Sequence, residues 1–179
     1  LPALMPRVSK PKDACIDRIV SDVLNAPWFK SMKSDKNADL QKVQNEILRS
    51  LQSISRPRLS GDADFIMNPK MTDVPGQLGR WLIDSRVGGI CNTSVRSHME
   101  TDLHRYIFVS SFGKALRRSP KLEEFPEALL PNHANLIGDR RDLRKFADRF
   151  RVQLYERPAA TITCHISQDG HANIHPDPR

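Results

Sequence analysis

The stretch TITCHISQDGHANIHPDPR, residues 161–179, decides how the chain is read. Thr161, Thr163, His165 and Ser167 alternate with Ile162, Cys164 and Ile166, the period of a strand with two unlike faces. A two-residue turn at Asp169-Gly170 would set Ile166 against Asn173 and His165 against Ile174, mixing polar with apolar on both faces. A three-residue loop, Gln168-Asp169-Gly170, instead pairs Ile166 with Ala172, Cys164 with Ile174, His165 with Asn173 and Thr163 with His175. Gly170 then takes the left-handed position of a type I turn with a G1 bulge. The spacing therefore predicts an antiparallel hairpin over 160–175. One face is apolar and docks on helices; the other shows Thr161, Thr163, His165, Ser167, His171, Asn173 and His175.

Three histidines on one face raise the question of a metal. Zinc takes three or four converging ligands, with each imidazole oriented by an outer acceptor. The nearest carboxylates, Asp169 and Asp177, fall at the turn and beyond the strand, and no HExxH or HxH pattern occurs. No metal is therefore expected. Ser167 and Cys164 would point to opposite faces with no glycine-rich elbow around either, so nucleophilic catalysis is not expected. Small hydrogen-bonding side chains leading to a polar tip suit the edges of bases in a major groove.

Composition narrows the partner. The 179 residues carry a formal charge of +7 with pI near 9.6, pointing to an anionic partner and to nucleic acid before membrane. No run approaches the roughly 20 apolar residues of a membrane-spanning helix, and nothing at the start reads as a signal peptide. Cys15, Cys91 and Cys164 are odd in number and form no CxxC pair, which fits a reducing compartment. A cytoplasmic, monomeric protein is expected. The start at Leu1 and the stop at Pro178-Arg179 read as the limits of a piece of a longer chain.

The chain before the hairpin reads as helical. Three prolines within residues 1–12 give an extended lead-in; Ile16, Ile19, Val20, Val23 and Leu24 then recur at helical spacing until Pro27. A lysine-rich connector, KSMKSDKN, precedes a second helix capped by Asn37, with Leu40, Val43, Ile47, Leu51 and Ile54 on one face. Residues 55–76, with Pro57, Gly61, Pro69 and Pro75, read as loop with at most one short strand. Ser97-x-x-Glu100 has capping-box spacing ahead of a helix whose Tyr106–Val109 run marks it as buried. A short helix is expected at 121–130. Another opens at Asp139 and Asp142, with Leu143, Phe146, Ala147 and Phe150 inward. Trp28, Trp81 and Phe112 read as core. The fold expected is α+β, a mostly helical domain with a C-terminal hairpin or small sheet.

The positive excess is concentrated in two segments, 96–121 and 138–157. A single basic helix face is ordinarily just solvated. Two flanking one polar hairpin point instead to a phosphate-binding surface, because bound lysines and arginines release condensed counterions. In the first segment Arg96, His98 and Arg105 share a helix with Asp102, which allows either an internal ion-pair cluster or phosphate contact. In the second, Arg140, Arg141, Arg144 and Lys145 fall on an outward face and suit phosphate positioning if that face lies beside the hairpin.

The segment ERPAATITCHISQDGHANIHPDPR resembles the one that closes the target-recognition domain of bacterial DNA (cytosine-5) methyltransferases, where Arg-Pro, a Thr-Ile-Thr-like strand, a loop and Asp-Gly-His lead into Ile-His-Pro-Asp. NTSVRSHMETDLHRYIF, SPKLEEFPEALLPNHAN and KFADRFRVQLY are similar to other parts of one branch of that family. The resemblance covers about residues 92–178, so residues 92–179 are the expected core of the recognition domain; residues 1–91 correspond only by position, as its variable helical part. The family's Phe-x-Gly-x-Gly loop, its Pro-Cys nucleophile and its Glu-Asn-Val motif do not occur in this chain, and none of the three cysteines follows a proline.

The resemblance thus implies a recognition domain without catalytic machinery, inactive alone. Its parent would flip a cytosine, attack C6 with a thiolate and pass a methyl group from S-adenosylmethionine to C5. The implied partners are double-stranded DNA and the catalytic domain of the same parent chain, with no cofactor held by this fragment. Position by position, the family's recognition loop falls at Thr163 to Gly170, with Arg157 before it. Thr163 would touch the backbone or the flipped nucleotide's phosphate, while His165, Ser167 and Gln168 would read base edges. Gln168 suits adenine and His165 suits guanine N7. Asp169 would make the turn or accept from cytosine N4. A stand-alone DNA-binding module and a small metalloenzyme on His165, His171 and His175 are the rival readings.

Overall fold

The computed structural model describes residues 14–34, 36–54, 65–67, 76–82, 84, 86–91, 99–130, 150–161, 171 and 173–177. The chain divides into two compact units, one of residues 1–12 and 56–97 and one of residues 13–55 and 98–179.

The larger unit is helical. Helix α1 (Ala14–Asn25) and α2 (Pro27–Ser34) are separated only by Ala26. Pro27 does not end the helical region as the sequence suggested. It stands at the first position of α2, where its missing N–H costs nothing, so most of the expected lysine-rich connector is helix instead. Helix α3 (Ala38–Ser53) begins as expected, the Asn37 side chain accepting from the Asp39 N–H at 2.9 Å. Val43, Ile47 and Leu51 are buried along its inner face.

Among the described residues two further α-helices follow. Helix α4 (Gly76–Leu82) belongs to the smaller unit and α5 (Glu100–Leu116) to the larger. Met99 caps α5 without a side-chain bond; Ser97, the expected capping residue, lies outside the described residues. Every residue from Ile107 to Gly113 is buried. A helix buried on all sides needs neighbours all round. Helices α1, α2 and α3 and the C-terminal segment supply them, so helices from the first 55 residues share one core with α5. After α5 the chain makes two single 3-10 turns, Leu122–Glu124 and Glu127–Leu129, where one short helix was expected; Pro126 separates them.

An aromatic series crosses this unit. Trp28 meets Phe108 at 6.4 Å between ring centroids, Phe108 meets Phe125 at 5.0 Å, and Phe125 meets Phe150 at 5.2 Å. His171 extends it, 5.0 Å from Phe150 and 5.6 Å from Tyr106. Tilted and edge contacts of this kind add to simple area burial. Trp28, Phe112 and Phe150 are core, as read from the sequence.

In the smaller unit, β1 (Phe65–Met67) pairs antiparallel with β2 (Gly89–Cys91), Ile66 facing Ile90. The Asp84 side chain accepts from the Arg86 N–H at 3.0 Å, and Gly88 at φ +64° carries the chain into β2. Trp81 is 76% exposed, so the expectation that it is core is overturned.

The α+β expectation with a C-terminal hairpin is also overturned. The described residues are mostly helical, and those of the C-terminal segment hold no strand. Ile174 makes an isolated parallel bridge with Val152: its N–H donates to Arg151 O at 2.9 Å and its carbonyl accepts from Gln153 N at 2.8 Å. The alternation is present, with Ile174 and Pro176 buried and His175 exposed. It records an extended segment docked on a helix, not one face of a ribbon. The proposed pairs with Cys164, Thr163 and His165 lie outside the described residues.

Candidate nucleic-acid interface

Helix α5 is the platform. Tyr106, Ser110 and Gly113 follow at intervals of four and three, the spacing of one helical stripe. Each of them meets the C-terminal part of the chain. The Tyr106 hydroxyl is 3.1 Å from His171 Nδ1. Ser110 Oγ donates to the His175 carbonyl at 2.7 Å. Gly113 lies against Val152, with no room for a Cβ. Ser119 Oγ accepts from the Val152 N–H at 3.0 Å, and Arg117 pairs with Glu156. Arg117 stands in the left-handed region at φ 58° as the C-cap of α5, its N–H donating to Gly113 O.

Two described segments are thereby fixed on either side of residues 162–170. Residues 150–154 are held by Val152, Phe150 and the Ile174 bridge. Gln153 Oε1 accepts from the Ala160 N–H at 2.9 Å and ties back the far end of the exposed 155–160 turn. Residues 171 and 173–177 are held by His171, Ile174 and the His175 carbonyl. The solvent side shows Tyr155, Arg157, Thr161 and His175. Tyr155 meets His175 edge-on at 6.1 Å, and the Asp177 N–H donates to His175 Nδ1 at 3.0 Å. Tyr155 and His175 thus present an aromatic ring and an imidazole side by side, with Arg157 on the same exposed turn as Tyr155, groups of the kind that stack on bases and bind phosphate.

Of the residues singled out from the sequence, Arg157 is exposed on this turn, its N–H donating to Leu154 O at 3.2 Å. Arg105 is turned inward. It is 9% exposed, pairs with Asp102 at 2.7 Å and donates to the carbonyls of Leu129 and Leu130. That is the internal ion pair, and it clamps the second 3-10 turn. Thr163, His165, Ser167, Gln168, Asp169 and Gly170 lie outside the described residues, as do Arg96, Arg140, Arg141, Arg144 and Lys145. His171 was expected on the open polar face, yet it is half-buried between Tyr106 and Phe150.

Tyr106, Ser110 and Gly113 were missed as docking residues. The 106/110/113 spacing was the available signal, obscured by the apolar run around it. Among the described residues no group of three or more His, Cys, Asp or Glu is placed to hold a metal, and no helix is long and apolar enough to cross a membrane. An open groove lined by Met32, Leu40, Phe112 and Phe125 is edged by Asp39, Glu123 and Glu124. Those carboxylates make it unsuited to a phosphate backbone.

Part of the chain is similar to a Type II methyltransferase of Bacillus paralicheniformis, 42% identical over 60 residues. Those residues are 34% of this chain and 12% of the relative, so the similarity spans only a small part of that protein's length. No known family profile matches the chain. No solved structure is similar to it.

Proposed function

We propose that this chain is the target-recognition part of a DNA (cytosine-5) methyltransferase and contributes sequence-specific binding of double-stranded DNA. The observation that carries the reading is the partial similarity to a Type II methyltransferase. The cytosine-5 assignment rests on the resemblance of the Ile-His-Pro-Asp segment, residues 174–177, to that family. Arg157 and the exposed turn around it would bind phosphate, and residues 163–170 would read base edges. Arg140, Arg141, Arg144 and Lys145 would add phosphate contacts; Arg105 is excluded from that task by its inward bonds. Methyl transfer from S-adenosylmethionine and the attacking thiolate would belong to the parent's catalytic part, and no residue of this chain is assigned to either.

Fluorescence anisotropy with a labelled 30-base-pair duplex tests this. The chain is expected to bind, with log affinity falling linearly against log salt at a slope of about −0.9 per phosphate neutralised. Gln168→Ala is expected to relax sequence choice, and Arg144→Ala to weaken all duplexes alike. No binding at about 50 mM salt would refute the reading.

A further inference from the structure

We infer that the outward face of α4 is a further DNA contact, an apolar wedge in which Trp81 enters a base step of the duplex while Arg80 holds an adjacent phosphate. The inference rests on the DNA-binding proposal above. Gln77, Leu78, Arg80 and Trp81 are all exposed on α4, and Gly79 among them is buried. At about 100° per residue, Trp81 lies between Gln77 and Leu78, with Arg80 beyond Gln77 and Gly79 on the opposite side. The indole therefore crowns the helix: it is 76% exposed, and Leu78 beside it is 55% exposed. Large apolar side chains set side by side outside a core mark a contact surface. Charge decides which kind of partner it meets. Asp84 is engaged by the Arg86 guanidinium at 2.9 and 2.7 Å, whereas Arg80 has no ion-pair partner among the described residues. By sequence the smaller unit carries nine lysines and arginines against four aspartates and no glutamate. An apolar ridge on so cationic a unit suits a polyanion whose interior is aromatic, with phosphates outside and stacked bases within. Apolar side chains inserted between base steps unstack them and kink the duplex. An indole offsets part of that cost by stacking on the base it uncovers. No residue of the larger unit takes part.

The full chain carries two tryptophans, Trp28 buried and Trp81 exposed, and so supplies its own reporter. Trp28→Phe leaves Trp81 as the sole indole, and addition of duplex DNA is expected to quench its emission over the range in which anisotropy shows binding. Dyes at the two ends of the duplex should draw together when wild type binds, the sign of a kink. Trp81→Ala, at a position the core does not use, should lose the bend and about tenfold in affinity. Arg80→Gln should keep the bend and reduce the magnitude of the salt slope by about one. The bending comparison of wild type with Trp81→Ala carries the test if Trp28→Phe folds poorly. Duplex binding with Trp81 emission unchanged, or with Trp81→Ala bending the duplex like wild type, would overturn the wedge while leaving DNA binding intact. Quenching by a single strand without bending of the duplex would overturn it too, and assign the indole to unpaired bases. Emission that moves to the blue with protein concentration in the absence of DNA would instead assign the face to a second copy of the chain. No duplex binding by wild type would overturn the DNA-binding proposal itself, and this inference with it.

Discussion

Gly113 and Val152 touch so closely that a Cβ on Gly113 would stand 2.9 Å from Val152 Cγ2 and 3.1 Å from its Cβ. This contact joins α5 to the C-terminal segment. Gly113→Ala gains about 1 kcal/mol of helix propensity but drives a methyl group into a β-branched side chain with little freedom to move, at a cost of about 1–3 kcal/mol. A net loss of up to about 2 kcal/mol is expected from those two terms, read as a lower urea midpoint at unchanged slope. The double variant Gly113→Ala/Val152→Ala should recover part of it.

Arg105 and Arg157 should separate structure from binding. Arg105→Ala leaves Asp102 unpaired in the interior and two carbonyls without their donor. Breaking such a buried pair costs about 3 kcal/mol or more, and a large drop in thermal midpoint is expected. Arg157→Ala should leave the midpoint unchanged and reduce the magnitude of the salt slope of duplex binding by about one.

His104 should make stability depend on pH. The Trp28 indole N–H donates to its Nδ1 at 3.1 Å. Burial holds the imidazole below its ordinary value of 6.5, against the opposing pull of Asp22 and Glu100. The neutral ring is the one the fold selects, so the unfolded chain binds the proton more readily. This contribution is complete above pH 6.5, declines as pH falls through 6.5 toward the lowered value, and levels off below it. Denaturant titrations at stepped pH should show that decline in wild type. His104→Phe should remove this contribution to the slope.

Arg117 carries a smaller, opposite prediction. A non-glycine residue at φ 58° is strained by about 1 kcal/mol. Its ion pair with Glu156 is solvent-exposed and contributes little. Arg117→Gly should therefore leave thermal stability unchanged or raise it slightly.

Helices whose burial follows a simple period were legible in the sequence. Asn37 with Leu40, Val43, Ile47 and Leu51 defined α3, and the unbroken Tyr106–Val109 run marked α5 as interior. Helix α2 was hidden because Pro27 both stops and starts helices, and its lysines made the rest look like linker. The C-terminal misreading has a different cause. Period-two burial records alternation, not the partner: Ile174 bridges to Val152 and the His175 carbonyl accepts from Ser110 of α5, neither of them a partner in the expected hairpin register. The same limit applied to His171, whose histidine character suggested an open polar face while its neighbours Tyr106 and Phe150 come from 65 and 21 residues away. Arg105 allowed either an ion pair with Asp102 or a phosphate contact, and its inward direction depends on carbonyls of the distant 3-10 turn at Leu129.

In the proposed function, duplex DNA docks on the C-terminal segment held by α5. Hydrogen–deuterium exchange of the whole chain, with and without a saturating 30-base-pair duplex at low salt, tests it most directly. Slower exchange concentrated between residues 153 and 177, with α1–α3 unchanged, is the result expected. Unchanged exchange in that segment, or protection confined to α1–α3, would contradict the account.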